Sequence, residues 1–100
     1  MVSFDLDDGE VLNREFPSTF WIPPLDVRKS LTKGDIVKLI FRIRHDGRES
    51  VERMWVIVEA VEGTGYFGEL DNDPVCTSEL QSGAVIKFGP QHVIQIFEPS

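Results

Sequence analysis

A chain of 100 residues has room for one ordinary domain, and a domain that small buries only roughly 60–70% of its unfolded surface, which excludes a large enclosed substrate cavity. Its single cysteine, Cys76, excludes an internal disulfide, and with only His45 and His92 beside it no structural zinc set can be filled, so no cofactor is expected. The net charge of −7 opposes a phosphate backbone. The acidic start MVSFDLDDGE lacks the pattern of a secretion signal and no apolar run reaches the ~20 residues of a membrane span, so a reduced, cytoplasmic protein with no membrane contact is expected.

The charge is unevenly placed. Residues 1–27 are acidic, residues 28–53 hold eight of the ten bases, and residues 54–100 hold seven acids against Lys87. Residues 1–22 read as an acidic N-terminal arm that packs Phe16, Phe20, Trp21 and Ile22 onto a single β domain of residues 23–100. Pro23-Pro24 then opens a short helix over Pro24–Thr32: Asp26 lies early, Arg28, Lys29 and Lys33 lie late as the helix dipole favours, and Gly34 stops it.

From Ile36 to Arg44 the period changes to two. Val37, Leu39, Phe41 and Ile43 alternate with Lys38, Ile40, Arg42 and Arg44, the signature of a half-buried strand. His45–Ser50, with Asp46-Gly47, is a turn, and Val51–Glu62 a second strand with Met54, Val56, Val58 and Ala60 on one face. Glu62–Gly65 makes a hairpin into a strand over Tyr66–Leu70. A turn at Asp71–Pro74 leads to a helical turn or loop over Val75–Ser82, and strands follow at Ala84–Phe88 and Val93–Phe97. The frame L-x-x-G-x-[IV]-[IV]-K-[LF] occurs twice, at Leu31–Leu39 and Leu80–Phe88; nothing reactive sits inside it, so it reads as a repeated turn-then-strand device. The pattern predicts a mostly β fold: a small antiparallel barrel or strongly curved five-stranded sheet of SH3-like kind with one short N-terminal helix, or, as the alternative, an open α+β sheet.

Chemistry is sparse. Glu69, Asp71 and Asp73 lie within five residues, but the run lacks the register, central Gly and flanking helices of a calcium loop, and Asp-Asn-Asp-Pro is what a structural turn needs. Cys76 follows two acids, which oppose a reactive thiolate, and no G-x-S-x-G frame or phosphate-binding glycine loop is present. No catalytic, metal-binding or cofactor-binding residue is therefore assigned. Lys38, Arg42 and Arg44 share one strand face; their expected role is pairing with acids on neighbouring strands, such as Glu59 and Glu69, which makes nucleic-acid binding the weaker reading. Trp55 reads as core, and Trp21 stays open.

Glu52-Arg53-Met54-Trp55-Val56 together with Gly68-Glu69-Leu70-Asp71-Asn72-Asp73-Pro74 resembles the YegJ-like bacterial family of unknown function, over roughly residues 16–97. Gly34–Leu39 and Gly83–Phe88 share in the resemblance, with Ala84 standing where an acid follows Gly34. The resemblance implies a small bacterial domain with no assigned reaction. An Arg53 side chain gripped by Asp71 or Asp73 would link its two motifs.

These readings favour a non-enzymatic protein-binding module that presents Trp55, Glu69, Asp71, Asn72 and Asp73 to a protein partner; masking of a basic partner is one such role, and nothing in the sequence selects the partner. A small-ligand or metal-dependent hydrolytic domain using Glu69, Asp71, Asp73 and His92 is one alternative. A small nucleic-acid-binding barrel using Lys38, Arg42 and Arg44 is the other. No pattern specifies an oligomeric state.

Overall fold

The computed structural model describes residues 2–99. In chain order the elements are β1 (Ser3–Leu6), α1 (Gly9–Glu15), α2 (Leu25–Arg28), β2 (Ile36–His45), β3 (Arg48–Glu62), β4 (Gly65–Leu70), β5 (Val85–Phe88), a 3-10 turn (Pro90–His92) and β6 (Gln95–Ile96). The alternation read in β2 is the alternation observed: Val37, Leu39, Phe41 and Ile43 are fully buried, while Arg42 is half-buried and Arg44 exposed on the opposite face.

β2 and β3 pair antiparallel along all of β2, turning at Asp46-Gly47, where both φ angles are positive (49° and 73°), as a two-residue hairpin with right-handed strand twist requires. β4 and β5 continue the sheet in the order β1-β2-β3-β4-β5, all antiparallel. The free edge of β2 is divided: β1 pairs with Phe41–Arg44, and β6 pairs with Val37 and Lys38. The result is a strongly curved half-barrel. Its concave side holds Met54, Val56, Val58, Tyr66, Leu70, Ile86 and Phe88 against the β2 row.

The twice-used frame is a structural device. Asp35 N–H donates to Thr32 C=O at 3.0 Å and Ala84 N–H to Gln81 C=O at 3.1 Å, closing the same turn twice, with Gly34 and Gly83 at φ +97° and +96°. Each glycine N–H then donates 2.8 Å to a neighbouring strand, Gly34 to Val58 and Gly83 to Leu70, and Leu31 and Leu80 are buried. A side chain at that φ is strained, so the frame needs Gly where it stands.

Several local expectations change. The helix expected over Pro24–Thr32 is the single turn Leu25–Arg28, because residues 32–35 are taken by the Gly34 turn. Val75–Ser82 forms no helix; its amides are used by Glu52, Thr77 and Asp73 side chains instead. The strand expected over Val93–Phe97 is only Gln95–Ile96, after a 3-10 turn started by Pro90. Ala60 is exposed rather than inward, because a register shift between Val58 and Ala60 moves it out of phase. Residues 1–22 contain β1 and also α1, whose Asp8 cap accepts from the amides of Glu10 and Val11 at 2.9 and 3.1 Å.

Gly68 lies where β3 and β4 approach most closely: a Cβ there would stand 2.5 Å from Val56 Cγ1 and 2.6 Å from the Ile57 carbonyl oxygen. Because one of those atoms is backbone, Gly68→Ala is expected to cost about 2 kcal/mol. For a domain of this size that lowers Tm by about 8–16 °C, to be read by thermal denaturation.

Candidate partner-binding face

The outer, convex face of the sheet is built from the positions that alternate with the core. β2 supplies Ile36 and Lys38, β3 supplies Trp55 and Ile57, β4 supplies Phe67 and Glu69, and β5 supplies Val85 and Lys87. Trp55 is therefore not core, as its apolar strand suggested; it is half-buried on this outer face. Phe97 meets it edge-on at 5.9 Å between ring centroids, and Lys38 Nζ sits 4.5 Å over its ring.

Three of the five proposed partner residues meet on this face. The row Ile36–Ile57–Glu69–Val85 crosses four strands, with Glu69 exposed and Val85 72% exposed. Asp71 extends the β4 register: its N–H donates to Trp55 C=O at 2.9 Å, which sets Asp71 opposite Trp55 with its carboxylate exposed. Asn72 and Asp73 are used differently. Asn72 Oδ1 accepts from the Trp55 N–H at 2.6 Å, and Asp73 Oδ1 accepts from the Ser82 N–H at 2.9 Å, so both side chains hold the turn in place.

Glu52 does similar work at the rim of the concave side. Its two carboxylate oxygens accept from the amides of Val75 and Cys76, each at 2.9 Å. Burial alone would push this carboxyl up, but those amides and the Cys76 thiol hold it below its ordinary value. The thiol is pushed up, first by burial and then by Glu52, so Cys76 stays protonated and poorly nucleophilic. The motifs E-R-M-W-V and L-D-N-D-P are thus joined at Trp55, whose C=O and N–H bond Asp71 and Asn72, and Glu52 of the first motif holds Val75 and Cys76 just past the second. The expected grip of Asp71 or Asp73 on Arg53 is absent. Arg53 instead lies over the ring of Phe20, 5.6 Å from its centroid, because the segment after α1 folds across that end of the outer face.

The basic strand face is paired internally, though not with Glu59 or Glu69. Arg42 binds both oxygens of Asp7 (3.0 and 2.8 Å) and reaches Glu49 at 3.2 Å, while Arg44 bonds Asp5 and approaches Glu49 at 3.9 Å. These carboxylates hold both guanidinium groups above their already high ordinary range. The signal was available in sequence: Asp5 of β1 and Asp7 just after it are two residues apart, the same spacing as the arginines they meet.

Among the described residues no three of His, Cys, Asp and Glu are grouped so as to hold a metal ion, and His92 does not join Glu69, Asp71 and Asp73. His92 lies beside Asp8 and Glu10, and its Nδ1 accepts from the Gly89 N–H at 2.9 Å.

A family model described as uncharacterised proteins conserved in bacteria (DUF2314) matches residues 25–95, and the chain belongs to that family. No curated protein and no solved structure matches the chain.

Two predictions follow from this geometry. Asn72→Ala leaves the Trp55 amide without its partner and is expected to cost about 1–2 kcal/mol, whereas exposed Asp71→Ala stays within about 0.5 kcal/mol, both read from urea midpoints. For His92, burial holds the imidazole below its ordinary value against the opposing pull of Asp8 and Glu10. The unfolded chain then takes up the proton first as pH falls. Stability is full above about pH 6.5 and declines as pH drops through that value, until the folded imidazole is also protonated. Urea midpoints measured across that range should show the decline, and His92→Gln should flatten it.

Proposed function

We propose that this domain is a non-enzymatic protein-binding module of a bacterial cytoplasm, whose outer sheet face receives the basic surface of another protein. The YegJ-like resemblance of Glu52–Val56 and Gly68–Pro74 belongs with this reading, since those segments build the face. The observation that carries it is a partly exposed apolar patch, half-buried Trp55 and Ile57 with exposed Phe97 and Val85, edged by the exposed carboxylates of Glu69 and Asp71 and by Lys38 and Lys87. Apolar area with a charged rim is the anatomy of a recognition surface. The negative charge of residues 54–100 favours a partner rich in Lys and Arg. The concave side offers no comparable site, since its polar atoms are bonded to one another beneath the Asp71–Ala84 loop. No helix among the described residues is long and apolar enough to cross a membrane.

Capture from a bacterial lysate supplies candidates, and calorimetry with each purified candidate decides. A cognate partner is expected to be basic, to bind more weakly as salt rises, and to lose about tenfold in affinity (~1.4 kcal/mol) to the folded variant Glu69→Lys/Asp71→Lys. Equal affinity for wild type and charge-reversed protein, or an acidic partner indifferent to salt, overturns the proposal.

A further inference from the structure

A second surface lies across β6 from the outer face. A groove of about 480 Å³ runs between Trp21, Pro23 and Pro24 on one side and Ile94 and Ile96 on the other, with Val27 of α2 between them. Trp21 is 82% exposed. Pro24 sits at φ −56° and ψ 149°, so its wall is an extended, stiff segment rather than a mobile one. Val27 and Ile96 also line a neighbouring depression of about 400 Å³, so the two form one trough past α2.

The charges on this trough have one sign. Glu98 edges the groove, Asp26 and Asp35 edge the depression, and no Lys, Arg or His lines either. Arg28 of α2 is turned inward and consumed, its guanidinium bonding Glu10 and the carbonyls of Pro23 and Pro90, while the exposed Lys29 and Lys33, near the lining residues in sequence, do not line the trough. An apolar floor under an acidic rim selects against two common occupants. Anionic lipid headgroups and a second copy of this chain, itself at −7, are both repelled.

We infer that this trough seats an extended segment of a partner protein in which apolar side chains alternate with Lys or Arg. An extended chain sends successive side chains to opposite sides. One set can enter between Trp21 and Ile96 while the other reaches the carboxylates. The inference rests on the binding-module reading and adds a contact surface to it: Phe97 belongs to the outer face, and the adjacent Glu98 to the trough.

The two tryptophans of the chain allow the two surfaces to be read apart. Trp55→Phe leaves Trp21 as the only indole, reporting the trough; Trp21→Phe leaves Trp55, reporting the outer face. Each protein is titrated with three short synthetic peptides, alternating Leu/Lys, Leu/Glu and Ser/Lys. The Leu/Lys peptide is expected to shift Trp21 emission to the blue and to saturate, while the other two leave it unchanged. Asp26→Lys/Glu98→Lys, both at exposed positions, should weaken that binding about tenfold without moving Tm. Equal response to Leu/Lys and Leu/Glu overturns the inference, as does silence of Trp21 or indifference to the charge reversal. A Trp21 shift produced by phosphatidylglycerol vesicles, or by raising protein concentration alone with a matching increase in sedimenting mass, also overturns it in favour of lipid or self-association. A response of Trp55 alone overturns the trough while leaving the outer-face proposal standing; that proposal is judged by its own calorimetry.

Discussion

The arrangement of the N-terminal helices and of the turn before β6 depends on one buried guanidinium. Arg28 is 4% exposed, and burying a charge costs several kcal/mol unless its donors are met. They are met by three separate segments: Glu10 of α1 at 2.8 Å, the Pro23 carbonyl before α2 at 2.7 Å, and the Pro90 carbonyl of the 3-10 turn at 2.9 Å. A lysine's single ammonium could not offer the same planar fork. The Arg28 carbonyl accepts from the Tyr66 hydroxyl at 2.8 Å, and that hydroxyl accepts in turn from Leu31 N–H at 3.3 Å. One residue therefore ties the N-terminal helix, the turn before β6 and the core of β4 together. Gly9 packs α1 onto the same place, since a Cβ there would stand 2.9 Å from Ile94.

From that pin the two candidate surfaces follow. Fixing Pro23 and Pro90 places Trp21–Pro24 and Ile94–Ile96 as facing walls, with Val27 between them. The trough is a consequence of satisfying Arg28 rather than an independent invention. On the other side, β6 is held to Val37 and Lys38, and that places Phe97 against Trp55. The family match over residues 25–95 includes the outer-face residues Trp55, Glu69 and Asp71, whereas Trp21–Pro24, Ile96 and Glu98 lie beyond it. The strand residues of the outer face thus lie within family-matched sequence although Phe97 does not, and the trough combines matched residues such as Val27 and Ile94 with flanking ones.

What could be read from sequence was local. Period-two alternation located β2 and one face of β3, because a sheet with a packed face writes that period directly, and the glycine hairpin after β3 located β4. The repeated Gly frame announced its turns, because φ near +96° has few alternatives to glycine. Arg28 was legible only as a late helix charge; its burial comes from contacts with residues eighteen and sixty-two positions away, which no local pattern encodes. Asn72 and Asp73 misled for a related reason. A polar side chain in a turn looks alike whether it is free or accepts from a distant amide, and only the folded contacts separate Asp71 from Asn72 and Asp73, which accept from the Trp55 and Ser82 amides.

The charge distribution gains its meaning from the pairing. The acids of β1 and the loop after it, Asp5 and Asp7, are spent on Arg44 and Arg42, and Glu10 is spent on Arg28, so three arginines of the basic middle are matched by acids of the N-terminal segment. The acids of residues 54–100 have no such partners among the described ion pairs, and they include Glu69, Asp71 and Glu98. Net charge that is not cancelled internally is what an approaching molecule feels over the ~8 Å screening length of physiological salt. Around the trough the lining charges are all acidic, whereas on the outer face Glu69 and Asp71 stand beside Lys38 and Lys87. Desolvation of Trp21, Trp55 and Val85 rewards contact, and on the proposed reading the carboxylates beside them are what the bases of a partner meet.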